Sequence, residues 1–343
     1  MKWLKYIAIA MTILATPVAC LAADTAQRSR HPVGFQMARV ETASGPLSIA
    51  LWYPTSATPQ STAIMEGYFL DLAKDGAVDG DGLPFVVLSH GNGAGNFSHI
   101  DLAVELAGAG YVVASPAHIG DNFADQSRQG NPAIFSQRVG QLRATTDYVL
   151  STWTGAAQVD PARLGAFGFS AGAFTVLASI GGVPDMSLIA DHCSRQPEFI
   201  CEALAQVHSP LLGSAAGAGD FVADDRIKAA VVAAPGLGFT FHNGGLGKVR
   251  IPVQVWSGSQ DTTVPFESNT RIVQAGLGDR AEARQLEGAS HLSFLAPCGK
   301  LGPPAICSDP EGFDREAAHR LMNAEVVGFF NARLAPTGAR RTP

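Results

Sequence analysis

Apolar and polar positions along the chain follow two alternating periods. Continuous apolar runs at 83–91 (LPFVVLSHG), 111–118 (YVVASPAH), 163–170 (RLGAFGFS), 227–235 (IKAAVVAAP) and 251–259 (IPVQVWSGS) have strand length and end at turn residues. That is the pattern of strands buried on both faces. LSIALWYP at 48–55 alternates and stops at proline like an early strand, and ARQLEGASH at 283–291 makes a final one. Segments 99–110, 136–153, 171–182, 267–278 and 315–334 carry apolar residues at helical spacing. Strands alternating with helices predict an α/β fold, with a mostly parallel central sheet and helices on both faces. Residues 182–226 break the rhythm. They hold a short helical pattern, SLIADHCSRQPEFICEAL, and two cysteines, and they are long for a connection. They read as a cap inserted over the sheet's C-terminal edge, a helix with one face on a pocket. A surface excursion is the other reading.

The amino-terminal end stands apart from this α/β pattern. Lys2 and Lys5 precede the apolar run YIAIAMTILATPVA, and small residues follow in CLAAD. This reads as a secretory signal peptide over 1–22, cleaved after Ala22 or Ala23, ahead of one α/β domain over 23–343. The run is short for a membrane span. A buried first helix and a lipoprotein signal acylated at Cys20 are the alternatives, although Pro17 stands where such a signal usually has leucine. The expected location is periplasmic or secreted. Without its leader the chain loses two lysines and carries a net charge of −8, which gives no attraction to nucleic acid or anionic membranes. Cys193, Cys201, Cys298 and Cys307 remain, an even number that favours disulfides in an exported protein. Spacing groups 193 with 201 and 298 with 307, while three connectivities stay open. No C-x-x-C occurs, so a zinc site is not expected, even with His192 beside Cys193.

The candidate chemistry begins at Gly168-Phe169-Ser170-Ala171-Gly172, a G-x-S-x-G pentad. In a chain with 37 glycines the pentad alone decides little. Its setting does more: an apolar strand precedes it and a helix of small residues follows, as a nucleophile elbow requires. A serine hydroxyl needs a base, and the base needs an orienting carboxylate, in the chain order Ser, acid, His. Asp261 follows the strand at 251–259 and His291 ends the last strand. Both stand at carboxyl ends, where α/β sheets gather their catalytic groups. Asp261 could instead cap the next helix. His208 and His242 precede Asp261 and end no strand, and His319 lies in a helical pattern as a surface or packing residue. An oxyanion would need backbone N–H donors. Ala171 supplies one, and the loop SHGNGAGN after the strand at 83–91 supplies another, from Asn92 or alternatively Gly93. That loop is also like a dinucleotide fingerprint, but Asn96 stands where the third glycine belongs and no acid ends the next strand. No cofactor is expected.

Together LWYPT, LSHGNGAG, GYVVASPAHIGDN, DPARLGAFGFSAGA and HCSRQPEFICEAL resemble the α/β-hydrolase superfamily. More narrowly they are similar to its secreted dienelactone-hydrolase-like and platelet-activating-factor-acetylhydrolase-like esterases. The resemblance covers most of residues 32–332. It implies an α/β-hydrolase fold and an exported, cofactor-free serine carboxylic-ester hydrolase with Ser170, Asp261 and His291 as its triad, acting on a small-molecule or polymeric ester. True dienelactone hydrolases carry a cysteine nucleophile, whereas this chain has Ser170. The acetylhydrolases place the acid after an earlier strand, where this chain reads AAPGLGFTF without a carboxylate. An amidase or peptidase with the same triad, and a non-catalytic binding protein on the same fold, remain open alternatives.

Overall fold

The computed structural model describes residues 30–65, 68–213, 220–298 and 302–336. The leader at 1–22, with Cys20, lies outside the described residues, as does most of GSAAGAG within the expected cap. Among the described residues ten strands form one sheet: β1 (Val33–Thr42), β2 (Gly45–Pro54), β3 (Gln60–Met65), β4 (Tyr68–Lys74), β5 (Leu83–Ser89), β6 (Val112–Ala117), β7 (Val159–Phe169), β8 (Ile227–Ala233), β9 (Val253–Gly258) and β10 (Ala281–Leu286). Their order is β10-β9-β8-β7-β5-β6-β2-β1-β4-β3. From β10 to β6 every pair is parallel, and β2 joins β6 antiparallel. Among the described residues eight α-helices accompany the sheet: α1 (Ile100–Gly108), α2 (Ala133–Ser151), α3 (Ala171–Ser179), α4 (Leu188–Arg195), α5 (Phe199–Gln206), α6 (Thr270–Leu277), α7 (Pro304–Cys307) and α8 (Arg315–Arg333). This mostly parallel sheet, flanked by helices, is the α/β-hydrolase type of fold.

The two-sided burial expected from the apolar runs follows from strand geometry. Successive side chains point to opposite faces. In β5, Phe85 and Val87 therefore join one core with Phe135 and Leu142 of α2 and Phe174 of α3. Val86 and Leu88 join the other with Leu102 and Leu106 of α1 and Val326 and Phe330 of α8.

Three features depart from the sequence expectation. Strands β1, β3 and β4 lie beyond β2, where β1 pairs β2 antiparallel and β4 parallel, and the apolar pattern did not mark them. In β1, half-buried Gln36 faces inward because it accepts the indole N–H of Trp153 at 2.8 Å, while Met37 points to solvent, and the two together erase the alternation. The pattern at 187–204 is two helices and not one. Pro197 separates α4 from α5 and takes the preceding Gln196 out of helical geometry, to φ −140° and ψ 68°. The connection after β9 runs longer than expected, so α6 starts at Thr270 and Asp261 is not its cap. Both cysteine pairs are disulfides, Cys193–Cys201 and Cys298–Cys307.

The turn from β7 into α3 is packed against backbone on both sides. A Cβ on Gly172 would stand 1.9 Å from the Ser89 carbonyl oxygen, and a Cβ on Gly168 2.2 Å from that of Gly172. Both obstacles are backbone and cannot swing aside. We expect Gly172→Ala to lower stability by more than about 3 kcal/mol, beyond the usual cost of overpacking a core with side chains. The urea midpoint of the variant measures this, and an unchanged midpoint would contradict the packing.

Candidate active site

Ser170 stands where β7 turns into α3, with φ 56° and ψ −119°. A non-glycine residue avoids this backbone region unless its surroundings hold it there. Here they do. The Ser170 N–H donates to Ala233 O at 2.9 Å, and its carbonyl accepts from Ala173 at 3.0 Å and Gly236 at 3.2 Å. The side chain is thereby presented above the carboxyl ends of the strands.

His291 Nε2 lies 2.9 Å from Ser170 Oγ, and His291 Nδ1 lies 2.7 Å from Asp261 Oδ2. A carboxylate only accepts, so Nδ1 carries the proton and Nε2 is left to accept from the serine hydroxyl. The other Asp261 oxygen accepts the N–H groups of Thr263 at 3.0 Å and Val264 at 2.8 Å. This local turn fixes the carboxylate, and it is the role the residue has in place of a helix cap. The Phe169 ring lies 4.7 Å from the imidazole. The structure thus brings together three of the residues singled out from the sequence. Of the other histidines, His208 and His242 are exposed.

The loop after β5 forms the opposite wall. The Gly93 N–H donates to Asp121 Oδ1 at 2.8 Å, and Asn92 Nδ2 donates to the same oxygen at 2.6 Å. Gly93 is therefore occupied. The backbone N–H groups of Asn92 and Ala171 find no acceptor among the described residues, and both residues border the cavity at Ser170. That cavity has a volume of about 80 Å³ and an apolar wall from Ile134, Phe135, Phe199, Ile200, Leu204 and Leu237. Three of these belong to α5, so one face of that helix does look onto the pocket.

Several buried polar residues around the site escaped the sequence reading. Arg138 of α2, 1% exposed, pairs with Asp121, and both lie beneath the loop after β5. His90 and His118 complete this cluster. His90 accepts the His118 N–H at 3.0 Å, and His118 bonds Gln141 Oε1 at 2.9 Å and Ser89 Oγ at 2.8 Å. Burial, reinforced by the Arg138 charge, pushes both imidazoles well below the usual histidine range and keeps them neutral. A signal for Arg138 was present: it falls on the same helical stripe as Leu142, Thr145 and Val149, where a charge needs a reason.

Comparison with known proteins agrees with this architecture. No family model matches the chain. Uncharacterized proteins of Mycobacterium tuberculosis strains CDC 1551 and H37Rv are each 30% identical over 196 residues, a match covering 47% of this chain and 63% of the relative. The chain thus spans less than two thirds of the relatives it matches. Among solved structures, a ferulic acid esterase from Streptomyces cinnamoneus superposes with a TM-score of 0.63 at 18% identity, covering 93% of this chain and 96% of that one. The likeness to the esterase establishes the fold as α/β-hydrolase-like.

The turn carrying His291 (His291–Phe294) is tied to α8. His319, which the sequence suggested was a surface or packing residue, is buried. Its Nδ1 lies 2.7 Å from Asp101 Oδ2, and its Nε2 lies 2.9 Å from the Ser293 carbonyl. Both partners are acceptors, so the ring serves both bonds only as an imidazolium. Burial alone would lower the pKa of His319, but its bond to Asp101 outweighs that and leaves it raised. Burial would likewise raise Asp101, and its bonds to His319 and Asn323 leave it lowered. A raised folded pKa contributes stability that is full below the unfolded histidine value, near 6.5, and fades as pH rises through the folded value. The lowered Asp101 keeps its contribution above the unfolded value of 3.8 and loses it as pH falls through the folded one. We therefore expect the difference in Tm between wild type and His319→Gln to be largest at about pH 5–6 and to narrow above neutrality. A difference constant from pH 5 to 9 would count against an ionised pair.

Proposed function

We propose that the protein is an exported serine hydrolase of carboxylic esters. The observation that carries this reading is the continuous hydrogen-bonded line from Ser170 Oγ through His291 to Asp261 at the mouth of an apolar cavity. Ser170 attacks the acyl carbonyl while His291 Nε2 takes its proton. Asp261 keeps the imidazole in the required tautomer and stabilises the cation that forms. The unpaired N–H groups of Ala171 and Asn92 receive the oxyanion. His291 returns the proton to the leaving alcohol, and water then hydrolyses the acyl-enzyme by the same route. The esterase activity named for the structural neighbour supports this chemistry, as do the motifs shared with secreted dienelactone-hydrolase-like and acetylhydrolase-like enzymes. The two disulfides support a periplasmic or extracellular location, reached through the leader at 1–22.

Substrate selection lies with the insertion at 182–226, which acts as a cap. Helix α5 supplies much of the apolar wall, and the small cavity favours short apolar groups on one side of the ester. The Cys193–Cys201 bridge closes the loop that leads into α5.

Ser170→Ala should reduce turnover of p-nitrophenyl esters by on the order of 10⁴-fold or more with the circular dichroism spectrum retained. A fluorophosphonate should label the wild type at Ser170 alone. Asp261→Asn should lower kcat by about 10²–10⁴-fold while labelling remains detectable. Full turnover in folded Ser170→Ala would overturn the assignment.

Replacing both Cys193 and Cys201 by serine should change the preference among p-nitrophenyl esters of graded chain length without abolishing Ser170 labelling. An identical chain-length profile in that variant would deny the cap a part in selectivity.

A further inference from the structure

The Arg138 guanidinium touches both walls of the proposed oxyanion site. Its Nε donates to Thr175 Oγ1 at 3.1 Å, and the Thr175 hydroxyl donates in turn to the Ala171 carbonyl at 2.9 Å. One Nη donates to Asp121, whose other oxygen holds the Asn92 side-chain amide at 2.6 Å and the Gly93 backbone N–H at 2.8 Å. The second Nη donates to the His90 carbonyl, at the head of the same loop. The side chain is 1% exposed and Asp121 is 3% exposed. All three nitrogens of the fork are thus in use, and each bond leads to a segment carrying a free N–H that borders the Ser170 cavity.

We propose that Arg138 is the positioning residue of the oxyanion site: through Thr175 and Asp121 it sets the spacing between the Ala171 and Asn92 amides. Its rigid planar fork suits this task, because three bonds at fixed angles leave the two segments no independent motion. A lysine has the charge but not the fork, and cannot serve all three partners in the same geometry. Donors must stand within about 2.7–3.1 Å of the oxygen that becomes charged, and a misplacement of about 1 Å costs on the order of 10²-fold in rate. Arg138 touches no reacting atom, and its effect is confined to the stabilisation of negative charge on the former carbonyl oxygen.

This inference rests on the ester-hydrolase reading, and the test separates the two. A p-nitrophenyl ester is compared with its thiono analogue, in which C=S replaces C=O. Sulfur accepts hydrogen bonds weakly, so the thiono ester gains little from the two amides. Wild type should prefer the oxygen ester. In Arg138→Lys, Asp121→Asn and Thr175→Val, kcat for the oxygen ester should fall by roughly 10- to 100-fold with KM within about threefold. The thiono rate should change by less than about threefold, so the preference collapses. Thr175→Val keeps the shape and charge of the site and serves if removal of the buried guanidinium prevents folding. Equal losses on both esters, or no loss on either, in folded variants that still label at Ser170 would overturn the positioning role. A wild type that hydrolyses neither ester would overturn the ester-hydrolase reading, and this proposal with it.

Discussion

The approach of α3 to β5 is the constraint on which the rest of the site depends. With a hydrogen in place of a side chain on the Gly172 Cα, the first turn of α3 lies against the Ser89 and His90 carbonyls. That contact leaves β7 no gradual exit from the sheet. The chain must reverse within one residue, and Ser170 takes the positive φ. The strain is a local cost of about 1–3 kcal/mol, held by the parallel strands on either side. In return the serine side chain projects out of the sheet, and the amide that follows it begins a helix, where N–H groups have no intrahelical partner. An outward-facing hydroxyl and a free N–H side by side are thus one consequence of one close contact. The flanking glycines are explained by sterics, independently of any catalytic role.

The buried Arg138 cluster follows from the same geometry. Opening a loop after β5 so that its amides face the serine removes them from ordinary turn hydrogen bonding. Something else must hold the loop, and Asp121 does so by accepting from Asn92 and Gly93. A carboxylate buried there needs a counter-charge, and Arg138 supplies it. Such a pair is a poor source of net stability, since desolvation of both ions offsets most of their attraction. Its worth lies in fixing directions. The neutral state of His90 and His118 fits this, because another cation beside Arg138 would have no carboxylate to answer it.

Much of this was legible in the sequence, for reasons that also explain the gaps. Ser170 and Asp261 each follow an apolar run and His291 follows the last strand, all at carboxyl ends in a parallel sheet, so local pattern and chain order sufficed to put them in one place. The disulfide spacings were equally local. Strand β1 was hidden because Gln36 turns inward to satisfy Trp153, a contact between residues 117 positions apart. The Asp121, Arg138 and Thr175 cluster joins a loop and two helices, and its partners are fixed only by tertiary packing. The tie from His319 to Asp101 spans 218 positions. Polar networks of this kind carry no periodic signal. Their trace in the sequence is an ionisable residue on an otherwise buried stripe.

The insertion and the Ser170, His291 and Asp261 line are fastened separately. Glu198, inside the loop closed by Cys193 and Cys201, accepts from Ser268 Oγ at 2.9 Å and from Asn269 Nδ2 at 3.1 Å. Asn269 Oδ1 in turn accepts the Gly238 N–H at 2.8 Å. The bridged loop is therefore clasped to the two connections that follow β8 and β9. The clasp falls at Ser268 and Asn269, beyond the turn that already fixes Asp261 through Thr263 and Val264. A shift of the bridged loop would move the α5 wall of the cavity, while the acid keeps its own local hydrogen bonds and His291 its tie to α8. If the insertion is the cap proposed above, this separate fastening is what would let it change its shape, and with it the group admitted, without disturbing the line from Ser170 to Asp261.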